Sequence, residues 1–318
     1  MTPAVSLAMP VRNGERFIEA AVGSLLAQSF TDYELLIVDN ASTDATQQIC
    51  ERLERSDRRI RYFRNKADIG AGANFNRGVE LASGVLFKWC AHDDLIGPDY
   101  LDRCIAALAA RPVAVTAYGR LLGIDESGAL TGYIEDPLPA VENVAAYRRF
   151  DMVTRRQGLD AAIFGLHRRS ALLATSLHLP YYGSDCALLS ELALLGPFVH
   201  VSEAVLYSRE HPTRSVNLTS ADRLAWQAAA GGKANAREFS SRIRHLYAIA
   251  YRHRVAAPFL ATAAALTIWL MHPVRLGRVA LEAVGSVSPS LRVRLRAAGL
   301  AILGRFGGRS ARRGRQDA

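Results

Sequence analysis

Cysteine is scarce in this chain and poorly spaced for metal or disulfide chemistry. The four cysteines, Cys50, Cys90, Cys104 and Cys186, form no Cys-x-x-Cys pair. That excludes a zinc ribbon or a disulfide scaffold and points to a reducing compartment. The opening MTPAVSLAMPVRNGERF lacks the basic start and long apolar core of a secretory leader, so a cytoplasmic location is expected. No Gly-x-Gly-x-x-Gly follows the first strand-forming run, Val5–Met9. Pro-Val-Arg-Asn-Gly-Glu stands there, which argues against a dinucleotide-dependent oxidoreductase. There is no internal repeat.

The uncharged segment Val255–Met271, VAAPFLATAAALTIWLM, is 17 residues long, short of the roughly 20 apolar residues that cross a bilayer. It reads as a buried core helix, an interfacial or re-entrant helix, or a span. Arg252 and Arg254 precede it and Arg275 and Arg278 follow, so flanking charge gives no orientation.

Negative charge is scarce in the C-terminal part. Residues 226–318 hold 16 Lys or Arg against three acids, leaving 23 basic and 27 acidic residues in 1–225. A basic half suits an anionic partner such as lipid headgroups or nucleic acid. The tail LRVRLRAAGLAILGRF has no interleaved aromatics, which disfavours nucleic acid, and its basic amphipathic pattern favours a membrane surface. The last dozen residues, rich in Arg and Gly, are expected to be disordered. We therefore divide the chain into a domain at 1–225 and a basic, mostly helical extension at 226–318.

What is present in the first half is an alternation. Strand-forming runs at Val5–Met9 (stopped by Pro10), Glu34–Val38, Arg59–Phe63 and Val85–Cys90 alternate with helical patterns from Glu15 to Gln28, from Ser42-Thr43-Asp44 to about Arg55, and from Ala71 to Ala82. This order implies an α/β doubly wound sheet with ligands at the carboxyl ends of its strands. Further on, the pattern predicts a strand at Val113–Tyr118, helices at Ala161–Thr175 and Ser184–Leu195, and a strand at Phe198–Tyr207.

Polar residues gather at the strand ends: Pro10-Val11-Arg12-Asn13 after the first, Asp39-Asn40 after the second, His92-Asp93-Asp94 after the fourth. Two adjacent acids can be a solvated turn or the ligands of a hard cation. Asp39 and Asp185 can each be helix caps or functional carboxylates.

Four stretches, in order, resemble the family 2 glycosyltransferases, which have the GT-A fold. They are SLAMPVRNGERFIEAAVGSLLAQSF, LLIVDNASTDAT, GAGANFNRGVELASGVLFKWCAHDDLIGPDYL and GSDCALLSELALLGPFVHVSEAVLYSREH. The resemblance implies a Rossmann-like mixed sheet flanked by helices. It also implies an inverting, metal-dependent transfer of a sugar from a nucleotide diphosphate to a hydroxyl of a glycan or lipid-linked acceptor; together with the basic tail, the expected place is the inner face of the cell membrane.

In that light Asp93 and His211 would hold Mg²⁺ or Mn²⁺, Asp94 would support the metal beside the donor, and His92 would supply the metal or ribose contacts of the acid that position 91 lacks. Asp39 would meet the nucleotide base, beside Pro10, Arg12, Asn13 and Glu15. Asn76 would face the donor, Arg209 the diphosphate, and Asp185 would be the base. The chain departs from the family pattern at Ala91, where an acid is usual, and at Phe75, where an Arg is usual. Two rival readings are a sugar nucleotidyltransferase, which would carry a Gly-rich basic loop after the first strand, and a non-catalytic nucleotide-sugar-binding module at a membrane.

Overall fold

A computed structural model describes residues 2–133, 144–156, 160–229 and 237–287. The expected alternation opens it: β1 (Val5–Val11), α1 (Ile18–Leu26), β2 (Tyr33–Asp39), α2 (Thr46–Ser56), β3 (Ile60–Arg64), α3 (Ala71–Leu81) and β4 (Leu86–Trp89). β1 pairs in parallel with β2 and β4, and β2 with β3. Every residue of β1 and β2 is buried, as it must be where helices cover both faces of a sheet.

Pro10 does not stop β1, which continues in register with β2 to Val11 opposite Asp39. The Cys90 N–H donates to the Ala8 carbonyl, so alternate residues of β1, Pro10 among them, face β4. Pairing with β4 ends at Ala8–Trp89. The hydrogen bond that proline cannot donate would lie beyond that point.

The turn from α3 into β4 is built on close contact. A Cβ on Gly84 would come within 2.7 Å of the Ser6 nitrogen. The Gly84 N–H donates to Ser6 Oγ, and Ser6 and Ser83 hydroxyls both donate to the buried Glu34 carboxylate. This network holds the start of β4 against β1, and with it the position of the strand's far end.

The second half adds β5 (Leu95–Ile96), α4 (Tyr100–Ala110), β6 (Thr116–Ile124), β7 (Leu130–Tyr133), α5 (Ala146–Arg155), α6 (Asp160–Ile163), β8 (Leu166–Arg168), α7 (Arg169–Leu173), α8 (Ser184–Leu195) and β9 (Phe198–Arg209). The helix expected over Ala161–Thr175 does not form as one element. β8 divides it, lying antiparallel between β4 and β6. Tertiary pairing overrides local propensity at this point, since without β8 the facing edges of β4 and β6 would have no partner. The sheet order is β3-β2-β1-β4-β8-β6-β9-β5, with β7 on β6.

After a short 3₁₀ turn at Ser215–Asn217 come α9 (Ser220–Gln227), α10 (Glu238–Arg252), α11 (Phe259–Leu270) and α12 (Pro273–Val287). A second apolar core joins Phe150 of α5 and Ala187 and Leu194 of α8 to Phe239, Leu246, Leu266 and Trp269 of these helices. A polar chain runs beside it. Tyr181 Oη lies 2.8 Å from His245 Nδ1, and His245 Nε2 lies 2.6 Å from Ser176 Oγ. The Ser176 hydroxyl and N–H both donate to fully buried Glu191, which also takes Arg252 and His253. These contacts hold Glu191's carboxyl below its ordinary value despite burial.

The apolar segment Val255–Met271 is thus mostly α11, a twelve-residue helix with Thr262, Leu266 and Trp269 buried. No single helix among the described residues is long and apolar enough to cross a membrane. α11 and the first part of α12 qualify only jointly, and they meet at 82°. The basic amphipathic tail and the last dozen residues lie outside the described residues.

Candidate active site

The carboxyl ends of β1, β2 and β4 meet on one edge of the sheet, and the loops that leave them are tied together. Asn13 sits at φ 54°, a conformation asparagine tolerates. Its Oδ1 accepts from the Thr43 N–H at 2.8 Å, and its own N–H donates to Ser42 Oγ at 2.9 Å. The Gly14 N–H donates to Thr46 Oγ1, and Glu15 Oε2 accepts from the Ala45 N–H at the entry to α2. Asn13 and Glu15 therefore shape the rim through the 42–46 loop. Exposed Arg12 pairs with Asp68 at 2.9 Å. Asp68 also accepts from Asn40 Nδ2 and the Gly70 N–H, which brings the start of α3 to the same edge.

Asp39 is fully buried, and four donors meet its carboxylate. Oδ1 accepts from the Ser42 N–H and hydroxyl at 2.8 and 2.6 Å; Oδ2 accepts from Tyr62 Oη and Arg64, each at 2.6 Å. Burial, then the nearby carboxylate, pushes the Tyr62 phenol upward. A base could reach this carboxylate only by displacing one of those donors. Arg64→Met, which leaves a buried charge with three neutral donors, is expected to cost about 2 kcal/mol in urea unfolding. That is below the roughly 3–5 kcal/mol of a fully buried pair, because the Arg64 side chain is 33% exposed.

At the end of β4 the predicted residues come together. His211 Nε2 lies 2.8 Å from Asp93 Oδ2, and His211 Nδ1 lies 2.9 Å from Thr213 Oγ1. Burial acts to raise Asp93's carboxyl, but His211 and neighbouring His92 outweigh it and hold the carboxyl below its ordinary value. Asp94 Oδ1 accepts the Arg209 N–H at 2.8 Å.

Arg209 is 4% exposed, and its guanidinium donates to the carbonyls of Asp93, Asp125 and Glu126. Its planar fork joins the β4 loop to the β6–β7 turn, a positioning task that its resemblance to a diphosphate contact did not suggest. Phe17 is held between Arg209, 5.0 Å from its centroid, and the His211 ring, also 5.0 Å away. The sequence places Phe17 only within the helical pattern from Glu15 to Gln28. His92 packs over Gly14, where a Cβ would stand 2.7 Å from the ring. Ala91 brings no ligand.

Asn76 and Asp185 flank a second cluster. Asn76 Oδ1 accepts the His178 N–H and Nδ2 donates to the His178 carbonyl, both at 2.9 Å. Both ends of its amide are thus used on backbone, and Asn74 is likewise buried between Asn65 and the Val38 carbonyl. His178 itself is buried beside Phe75 and Trp89, ring centroids 5.1 and 5.2 Å away. Burial pushes it down to about 4, while Asp185 pulls the other way. Asp185 lies in the first turn of α8, half-buried, after Gly183 at φ 87°. Phe75, standing where the resemblance expects an arginine, gives His178 an aromatic wall.

A mixed sheet with four parallel strands first, a short antiparallel insertion and an acid pair at the end of the fourth strand defines the GT-A class. Residues 6–172 match the family described as Glycosyl transferase family 2, over half of the chain. The chain belongs to that family.

An uncharacterized glycosyltransferase of Rickettsia felis is 33% identical over 134 residues, 42% of this chain but 22% of that protein. The putative teichuronic acid biosynthesis glycosyltransferase TuaG of Bacillus subtilis is 31% identical over 135 residues, 42% of this chain and 54% of its own. The chain therefore spans a fifth to a half of these relatives. Among solved structures, S. aureus TarS in complex with UDP-GlcNAc superposes with a TM-score of 0.57 at 17% identity, covering 82% of this chain and 72% of that one. The Pyrobaculum calidifontis mannosyltransferase PcManGT, in complex with GDP-Man and Mn²⁺, gives 0.55 at 17% identity, covering 95% and 81%. At these identities the likeness is one of fold.

Proposed function

We propose that this chain transfers a sugar from a nucleotide-diphosphate donor to a hydroxyl of a glycan or lipid-linked acceptor, with inversion and with a divalent cation. In this reading residues 1–225 carry the transferase and 226–318 contact the inner face of the cell membrane. The observation that carries it is the Asp93–His211 pair at the carboxyl end of β4, in a family defined by sugar transfer.

The donor set suits Mg²⁺ or Mn²⁺. One carboxylate oxygen and one imidazole nitrogen face each other, and Thr213 can turn its hydroxyl to accept from Nδ1–H and so free Nε2 as a ligand. Among the described residues no third His, Cys, Asp or Glu completes a cluster. Such ions commonly take few protein ligands and complete their shell with phosphate and water. When bound, the cation offsets the charge that builds on the departing diphosphate.

The residues of the chain would do the rest. The 13–15 turn and the 42–46 loop shape the donor edge, and Arg209 holds the β4 loop in place. Asp185 takes the proton of the acceptor hydroxyl as its oxygen bonds the anomeric carbon. The carbon–oxygen bond to the diphosphate breaks on the opposite face, and its electron pair leaves with the phosphate oxygen.

The experiment is a thermal-shift panel of UDP- and GDP-sugars, each with Mn²⁺, Mg²⁺ or EDTA. The matching donor, at about a hundred times its Kd, is expected to stabilise the protein by about 2.7 kcal/mol, and only when metal is present. A panel without any metal-dependent shift would overturn the proposal.

A further inference from the structure

The outward side of α11 is an apolar stripe on which nothing packs among the described residues. Leu260, Ala264, Ile268 and Met271 recur at intervals of four, four and three, which places them on one face of a helix. Leu260 is 80% exposed, Ile268 64% and Met271 65%, while Thr262, Leu266 and Trp269 on the other side are buried in the second core. The stripe continues past the bend into Val274 and Leu276, 54% and 49% exposed, and is preceded by Val255 at 96%.

From Val255 to Val274 there is no Asp, Glu, Lys or Arg. Cations stand at both ends. Exposed Arg254 precedes the stripe, and exposed Arg278, its guanidinium 5.0 Å from the Phe239 ring, follows it. An apolar face this continuous on a water-facing helix marks a contact surface.

We infer that the outer face of the α11–α12 elbow docks on an anionic lipid surface, lying in the plane of the headgroups. This deepens the proposed membrane contact and rests on that reading. Three observations select the occupant. The face is uncharged along its length and cationic at its ends, the arrangement that seats apolar side chains below headgroups while long arginines reach anionic phosphates. The 82° bend makes an elbow that lies on a surface rather than a straight rod.

The segment that follows α12 is a poor cover. Residues 288–318 carry eight arginines and one acid, so they repel a face rimmed by Arg254 and Arg278 and are drawn instead to the same anionic surface.

The test uses the full chain, without nucleotide sugar, sedimented with phosphatidylcholine vesicles with and without phosphatidylglycerol at low and high salt. Wild type is expected to bind the anionic vesicles and to weaken as salt rises. Leu260→Asp with Ile268→Asp is expected to lose about tenfold or more of that binding with an unchanged melting temperature, since both side chains point to solvent. Arg254→Gln with Arg278→Gln is expected to reduce binding and its salt dependence.

Three results would overturn the inference: undiminished binding by the Leu260/Ile268 variant, binding abolished only by Arg292→Gln, Arg294→Gln and Arg296→Gln, or a dimer in solution that the Leu260/Ile268 variant dissociates. Asp93→Asn should bind vesicles as wild type does. Failure of the transferase reading and failure of this one are therefore separate outcomes.

Discussion

Asp93→Asn and Asp185→Asn are expected to disable transfer in different ways. Asp93→Asn keeps the size of the side chain but removes the charge that faces His211 at 2.8 Å. It should lower kcat/KM about a thousandfold, the order of several kcal/mol of lost charge stabilisation. It should also abolish the metal-dependent thermal shift produced by the donor.

Asp185→Asn sits on another element, in the first turn of α8. It should lower kcat about a thousandfold, within the range for loss of a general base, and leave the donor-induced shift intact. Steady-state kinetics with the donor and acceptor pair, read beside the shift, separate the two. Loss of donor binding in Asp185→Asn would move that residue from proton acceptor to donor contact. Full activity in either variant would remove it from the mechanism.

The order of elements was legible because the first four strands are short apolar runs that end in polar residues, and a parallel sheet places those ends on one edge. Asp93, Asp94, Arg209 and His211 were each candidates from the sequence, and the fold brings them together although 118 residues separate the two partners of the Asp93–His211 contact. The resemblance grouped them, since no local pattern can.

Their division of labour was not legible. Arg209 and Asp94 are joined by the Arg209 backbone, and the guanidinium serves three carbonyls. Whether an arginine meets a ligand or a loop depends on which turns fold around it. Asn76 hides its role in the same way, because His178 reaches it across 102 residues. β8 escaped detection because three residues inside a helical pattern carry no periodicity of their own, and only the partners β4 and β6 make them a strand.

Stability is expected to fall steeply between about pH 6.5 and pH 4, and two buried histidines set that window. His167 is fully buried; its Nδ1 lies 2.9 Å from Thr116 Oγ1 and its Nε2 3.0 Å from the Ile163 carbonyl, so Nε2 is the donor to that carbonyl and Nδ1 can accept from the Thr116 hydroxyl. Burial, aided by neighbouring Lys88, holds it down at about 4. Burial likewise holds His178 at about 4 against the pull of Asp185.

In the unfolded chain both bind a proton near pH 6.5, whereas the folded chain refuses it until about pH 4. Between those values the unfolded state holds more protons, so acid favours unfolding. Neither histidine affects stability above the window, where both states are neutral. Each difference corresponds to about 3 kcal/mol, and together they approach the 5–15 kcal/mol that keeps a typical domain folded. Buried His245, also lowered, acts in the same direction.

Urea midpoints measured across this range should show a slope approaching two protons near pH 5. His178→Phe is expected to fold and to remove about one of them, because His178 Nε2 has no hydrogen-bond partner among the described residues, Nδ1 makes only a long 3.4 Å contact with Ser184 Oγ, and a phenyl ring keeps the packing against Phe75 and Trp89. His167→Phe should cost stability at every pH, since it strands the Thr116 hydroxyl and the Ile163 carbonyl. A slope below one proton in the wild type would show that these rings take up protons while folded, and that burial does not govern the acid limit.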